Sequence, residues 1–129
     1  MATNAPDYSS IALKLLEKTK AGKVEWQPTS THFGEIVYEG SEFFRAELTE
    51  GFRFEIGRTR STGDTTYSLT MRDEQGTDVF TLSLTDDPDT MFNQRRLYEG
   101  LAELYEVARR KALKVDQKVE RVSEILERI

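Results

Sequence analysis

The residues best placed to do chemistry are four cations near the C-terminus: Arg110, Lys114, Lys118 and Arg121. They follow one another at i+4, i+4 and i+3, so a continuous helix carries them on one face. Glu106 is an i,i+4 partner for Arg110, whereas Lys114 and Lys118 have no such acidic neighbour. A stripe of this kind suits a phosphate backbone or an acidic protein surface. Exposed helices also carry Lys and Arg for solubility alone. Beside the cations runs an apolar seam of Val115, Val119, Val122, Leu126 and Ile129. Its alternating spacing of four and three is a narrow coiled-coil seam, not a broad core-facing stripe. In water such a seam calls for a covering surface, either inside the chain, on a partner protein or on a second copy.

The other candidates for chemistry are weaker. His32 is the single histidine, in Thr31-His32-Phe33-Gly34. It could act as a general base, but with no Cys and no second His a metal site would rest on carboxylates alone. Asp86, Asp87 and Asp89 could hold a hard cation, yet carboxylates also gather at helix N-termini for dipole reasons, and no EF-hand spacing is present. No glycine-rich loop precedes a helix and no Gly-x-Ser-x-Gly occurs. No catalytic residue, cofactor, metal or small-molecule substrate follows from these residues.

The elements that must position the stripe are legible. Asp7 or Ser9 caps a helix over residues 8–21, with Tyr8, Ile11, Ala12, Leu15, Leu16 and Thr19 on one face and Gly22 as its left-handed stop. A short strand is expected at Val24-Glu25-Trp26-Gln27, then a loop with a candidate edge strand over residues 29–41. Four alternating strands follow: Phe44, Ala46, Leu48; Phe52, Phe54, Ile56; Tyr67, Leu69, Met71; Phe80, Leu82, Leu84. Setting Leu48 opposite Phe52 leaves a three-residue turn ending in Gly51, and it pairs Arg45 with Glu55 and Glu47 with Arg53. Setting Met71 opposite Phe80 leaves Gln75-Gly76 as a two-residue turn and faces Thr70 with Thr81 and Ser68 with Ser83. Phe54, Ile56, Leu69 and Leu82 then share the core face. The outer face is polar, with Phe43 its one aromatic, which is poor equipment for stacking RNA bases.

Asp87-Pro88 opens the last helix, over residues 88–128. Gly100 lies inside it, where a close approach to the sheet or to the first helix would explain the absence of a side chain. A straight helix of about forty residues runs about 60 Å, against about 27 Å for an eight-residue strand. The helix therefore either breaks near Lys114–Asp116 or overhangs the sheet. The expected fold is α+β: one domain over residues 1–129, with a meander over 24–85 of four to five antiparallel strands, and the N-terminal helix and one long C-terminal helix on one face.

The chain has 129 residues and a net charge of -5. The balance is +2 over residues 1–23, -8 over 24–87 and +1 over 88–129, so the sheet is acidic and the helices slightly basic. Residues 1–10 have neither a basic n-region nor an apolar h-region, and no apolar run reaches membrane length, so a cytoplasmic protein is expected.

Two stretches, Leu15-Leu16-Glu17-Lys18-Thr19-Lys20-Ala21-Gly22-Lys23-Val24-Glu25-Trp26 and Leu104-Tyr105-Glu106-Val107-Ala108-Arg109-Arg110-Lys111-Ala112-Leu113-Lys114-Val115-Asp116, resemble a family of small, uncharacterised bacterial proteins. The resemblance implies a bacterial cytosolic origin and a helix–meander–helix order, and it carries no activity. The function expected is a non-enzymatic interaction module. It self-associates or docks a protein partner through Val115, Val119, Val122 and Leu126. The alternative is a nucleic-acid-binding regulator using Arg110, Lys114, Lys118 and Arg121.

Overall fold

The computed structural model describes residues 7–29 and 41–129. His32 and the candidate edge strand at Ile36-Val37-Tyr38 lie outside the described residues. The elements run α1 (Tyr8–Lys20), β1 (Gln27–Pro28), β2 (Ser41–Glu47), β3 (Arg53–Ser61), β4 (Asp64–Arg72), β5 (Asp78–Thr85), α2 (Pro88–Asn93), α3 (Arg95–Ala112) and α4 (Val115–Arg128). The five strands form one antiparallel sheet in sequence order, so the fold is an α+β meander.

Local chemistry explains most boundaries. The Asp7 side chain accepts from the Ser10 N–H and caps α1, and Gly22 turns left-handed just beyond it with φ 76°. The Asp87 side chain accepts from the Thr90 N–H, with Pro88 in the first turn of α2. The β2–β3 hairpin takes the expected register: Arg45 faces Glu55 and Glu47 faces Arg53. Leu48 donates to the Phe52 carbonyl, and Gly51 closes the turn at φ 87°. Between β3 and β4, Thr62 and Gly63 both take positive φ, which matches the twist of a two-residue hairpin.

Two local expectations are corrected. The β4–β5 register is as read from Thr66 to Met71, but it then shifts so that Arg72 faces Asp78. The turn is therefore three residues, Glu74-Gln75-Gly76, not two. The cause is Asp73, whose carboxylate accepts from the N–H groups of both Gln75 and Thr77 and so wraps a wider turn. The strand expected at residues 24–27 forms only at Gln27–Pro28, because Val24 and Trp26 turn into the core instead. There the indole N–H of Trp26 donates to the Thr19 hydroxyl at 3.2 Å, satisfying the one fully buried polar side chain of α1.

The core lies between the inner sheet face and α1 and α3. Phe44, Ala46, Phe54, Ile56, Tyr67, Leu69 and Phe80 come from the strands, and Leu101, Leu104, Tyr105 and Ala108 from α3. Phe54, Ile56 and Leu69 are buried as parity requires, and Leu82 packs at the edge of the cluster. Tyr8 stacks on Phe80 at 4.4 Å between ring centres, pinning the start of α1 to the last strand. Gly100 faces α1: a Cβ there would stand 3.1 Å from a Leu13 methyl, so the missing side chain lets the two helices close. On the outer face, Phe43 lies across Gly57, where a Cβ would be only 2.2 Å from the ring.

Candidate interaction surface

The C-terminal helical stretch is divided into three pieces. The first break, at Gln94, precedes the core-packed α3. The second decides the shape of the candidate surface. α3 ends at Ala112, Leu113 caps it, and Lys114 takes a left-handed conformation (φ 53°, ψ 43°) before α4 begins. A non-glycine residue in that region is strained by about 1–2 kcal/mol. Neither Gly nor Pro marks the site in the sequence. Instead, Arg110 reaches across the break to Asp116 at 2.6 Å, placing a carboxylate in the first turn of α4, where the helix dipole favours it.

This break corrects the expected cationic stripe. Arg110 belongs to α3, and Lys114, Lys118 and Arg121 to the turn and α4, so a continuous helical face does not run through all four. Arg110 is paired with Asp116, and the ion-pair partner of Glu106 is Arg58 at 3.8 Å instead of Arg110. Lys114, Lys118 and Arg121 do share one surface, an open groove that also takes in Gln117 and Val122.

The apolar seam is intact on α4. None of the helix's residues is buried, although α4 is 14 residues long. Val115 is half-buried near the break, beside the half-buried Leu113. Val119 is 60% exposed, Val122 52% and Leu126 63%, while Ile125 and Ile129 are exposed with them. Val115, Val119 and Val122 line a shallow groove of about 450 Å³ together with Leu113, Lys118 and Ser123. Ile125 widens the stripe beyond the strict heptad positions.

A second polar constellation sits between α3 and the sheet, and the sequence reading does not anticipate it. The fully buried Tyr105 donates its hydroxyl proton to a Glu42 carboxylate oxygen, and the Nε–H of Arg109 donates to the same oxygen at 3.2 Å. The Arg58 guanidinium carbon stands 4.6 Å from the centre of the Tyr105 ring. Arg58 Nε is buried without a hydrogen-bond partner among the described residues. Burial, and then the bond to Glu42, hold the Tyr105 hydroxyl well above the usual tyrosine range. Parity was the available signal: Glu42 and Arg58 fall on the inward-facing positions of β2 and β3, and Tyr105 and Arg109 are one helical turn apart. The cluster ties α3 to the sheet and opens onto no cavity found among the described residues. The three aspartates at the start of α2 are likewise engaged locally: Asp86 accepts from the Thr65 N–H, Asp87 caps the helix and Asp89 accepts from the Asn93 amide.

No helix among the described residues is long and apolar enough to cross a membrane. Compared with protein-family models, curated proteins and solved structures, the chain matches none.

Proposed function

We propose that the protein is a non-enzymatic interaction module that docks through α4, onto a second copy of the chain or onto a helix of a partner protein. The observation carrying this reading is the seam of Val119, Val122, Ile125, Leu126 and Ile129, all exposed on a helix that its own domain leaves uncovered. Contiguous exposed apolar side chains on a folded domain mark association surfaces. In a parallel pair of α4 helices Val119 would meet Val119 and Val122 would meet Val122, and β-branched seam residues suit a two-stranded arrangement. Two heptads are marginal on their own, so the groove at Leu113 and Val115 is part of the same surface. The likeness of both end segments to small bacterial proteins supports a bacterial cytosolic setting.

The alternative reading, nucleic-acid binding, rests on the shared surface of Lys114, Lys118 and Arg121. Against it, α4 also carries Asp116, Glu120, Glu124 and Glu127, which outnumber its basic residues Lys118, Arg121 and Arg128. A phosphate-tracking helix keeps acids off its face.

Sedimentation of the wild type and of a Val119→Asp, Val122→Asp double variant separates these readings. Self-association at high micromolar concentration, lost in the double variant with the circular dichroism spectrum unchanged, is the expected result. A wild type that stays monomeric ends the self-association reading. Nucleic-acid binding that a Lys114→Glu, Lys118→Glu variant weakens, with a flatter salt dependence, would establish the alternative.

A further inference from the structure

We propose that the protein binds a short alkyl carboxylate, the chemistry of a medium-chain fatty acid, in a groove between α1 and the β2–β3 hairpin. One wall is a stripe of α1. Ile11, Lys14, Leu15 and Lys18 follow at i, i+3, i+4 and i+7 and so lie along one side of the helix. The facing wall is Leu48, just beyond β2, with Phe54 of β3, and Val24 completes the lining of a space of about 260 Å³. Leu15, Val24 and Phe54 belong to the core cluster, whereas Leu48 is 37% exposed. The groove therefore has a base fixed by the core and an apolar wall open to water.

Apolarity and charge together set the ligand. Apart from the two lysines, every lining side chain is aliphatic or aromatic, and the volume lies just below the range usual for drug-sized ligands. That suits a short alkyl chain, each methylene of which gains by leaving water. Lysine stems cover apolar surface while their ammonium groups stay in water. Lys14 and Lys18, both exposed, therefore put two positive charges at the rim. No acidic residue lines the groove, and neither lysine forms an ion pair with an acid among the described residues. Their neighbour Lys20, by contrast, is committed to Glu103 at 2.7 Å. A carboxylate at the end of an alkyl chain meets both demands, and an alkylammonium of the same length meets only one. No residue of α4 lines the groove, so the site is separate from the docking surface proposed above.

The test is calorimetric titration of the full chain with butanoate, hexanoate and octanoate, all below micelle-forming concentrations. Octanol and octylamine serve as the uncharged and cationic controls. Saturable binding of octanoate is expected, with affinity rising about twofold to fourfold for each methylene added along the series. Octanol should bind about threefold or more weakly, and octylamine more weakly still. Lys14→Gln combined with Lys18→Gln should weaken octanoate about threefold to tenfold and leave octanol unchanged. Both lysines are exposed, so this variant keeps the fold. Leu48→Ser should instead flatten the dependence on chain length. Lys111→Gln, which removes a lysine of α3 outside the groove, should leave octanoate within about twofold. No saturable binding below about 10 mM, or equal affinity for octanoate and octanol, would overturn the proposal. So would a loss in Val119→Asp, Val122→Asp that the lysine variant does not share, because it would move the ligand to the groove on α4.

Discussion

α3 and α4 are consecutive helices, both amphipathic and both rich in charge, yet one is the spine of the core and the other is uncovered. α3 buries Leu101, Leu104, Tyr105 and Ala108 completely against the sheet and α1. α4 buries nothing. The difference lies in what stands opposite each. α3 is 18 residues long, about 27 Å, and so matches the span of the strands beneath it. By Lys114 the chain has reached the end of that platform, and the left-handed turn sends α4 off it. An apolar stripe states that one face wants cover; it does not state which surface provides it.

The largest expected effect sharpens that contrast. Leu104→Ala should cost about 2–5 kcal/mol, because the site is completely buried within the core cluster. Leu126→Ala, at a residue 63% exposed, should change the stability of the monomer by less than about 0.5 kcal/mol. Denaturant melts of the two variants at low protein concentration measure both. A cost at Leu126 that appears only at high concentration would place the seam in an interface, since association stabilises by mass action.

Tyr105→Phe tests the polar tie of α3 to the sheet. The hydroxyl bonds to a carboxylate that keeps partial access to water, so the loss should fall near 1–2 kcal/mol at neutral pH. The pH dependence has a definite sign. Folding raises the Tyr105 pKa above its ordinary value of about 10. The stabilisation is therefore complete below pH about 10 and fades as the pH climbs from there toward the folded value. The gap in stability between wild type and Tyr105→Phe should narrow in urea melts above pH 10. A gap that stays constant through that range would show that the hydroxyl does not carry the tie.

The smallest effect concerns the break itself. Lys114→Gly relieves a left-handed non-glycine residue, while glycine's greater freedom in the unfolded chain offsets part of the gain. A net stabilisation of about 0.5 kcal/mol is expected, measured by thermal melts. Destabilisation would mean that α3 runs straight into α4, and the comparison between the two helices would then fail.

Strand parity, the Arg45–Glu55 and Glu47–Arg53 register, the caps at Asp7 and Asp87 and the stop at Gly22 were all legible in the sequence. Each depends on residues that are near neighbours in the chain or directly opposite across a hairpin. The β4–β5 turn is one residue longer than apolar alternation implies, because the Asp73 side chain competes with the backbone for hydrogen bonds and alternation does not register that competition. The candidate seam of α4 was legible as a pattern. Helical periodicity puts the cationic stripe on a single face only for an unbroken helix, and the chain breaks at Lys114.

By itself, then, the sequence determined the local geometry: which residues alternate, which turn left-handed, and which faces are apolar. These follow from steric and hydrogen-bonding preferences that act over a few residues. Only the tertiary structure decided that Trp26 leaves its strand for the core, that Glu42 and Tyr105 meet across 63 residues of chain, and that α4 departs from the sheet at Lys114. Those outcomes depend on the relative lengths of helix and sheet and on which buried polar groups find partners. Such quantities are set by the assembled elements together and are carried by no single stretch of sequence.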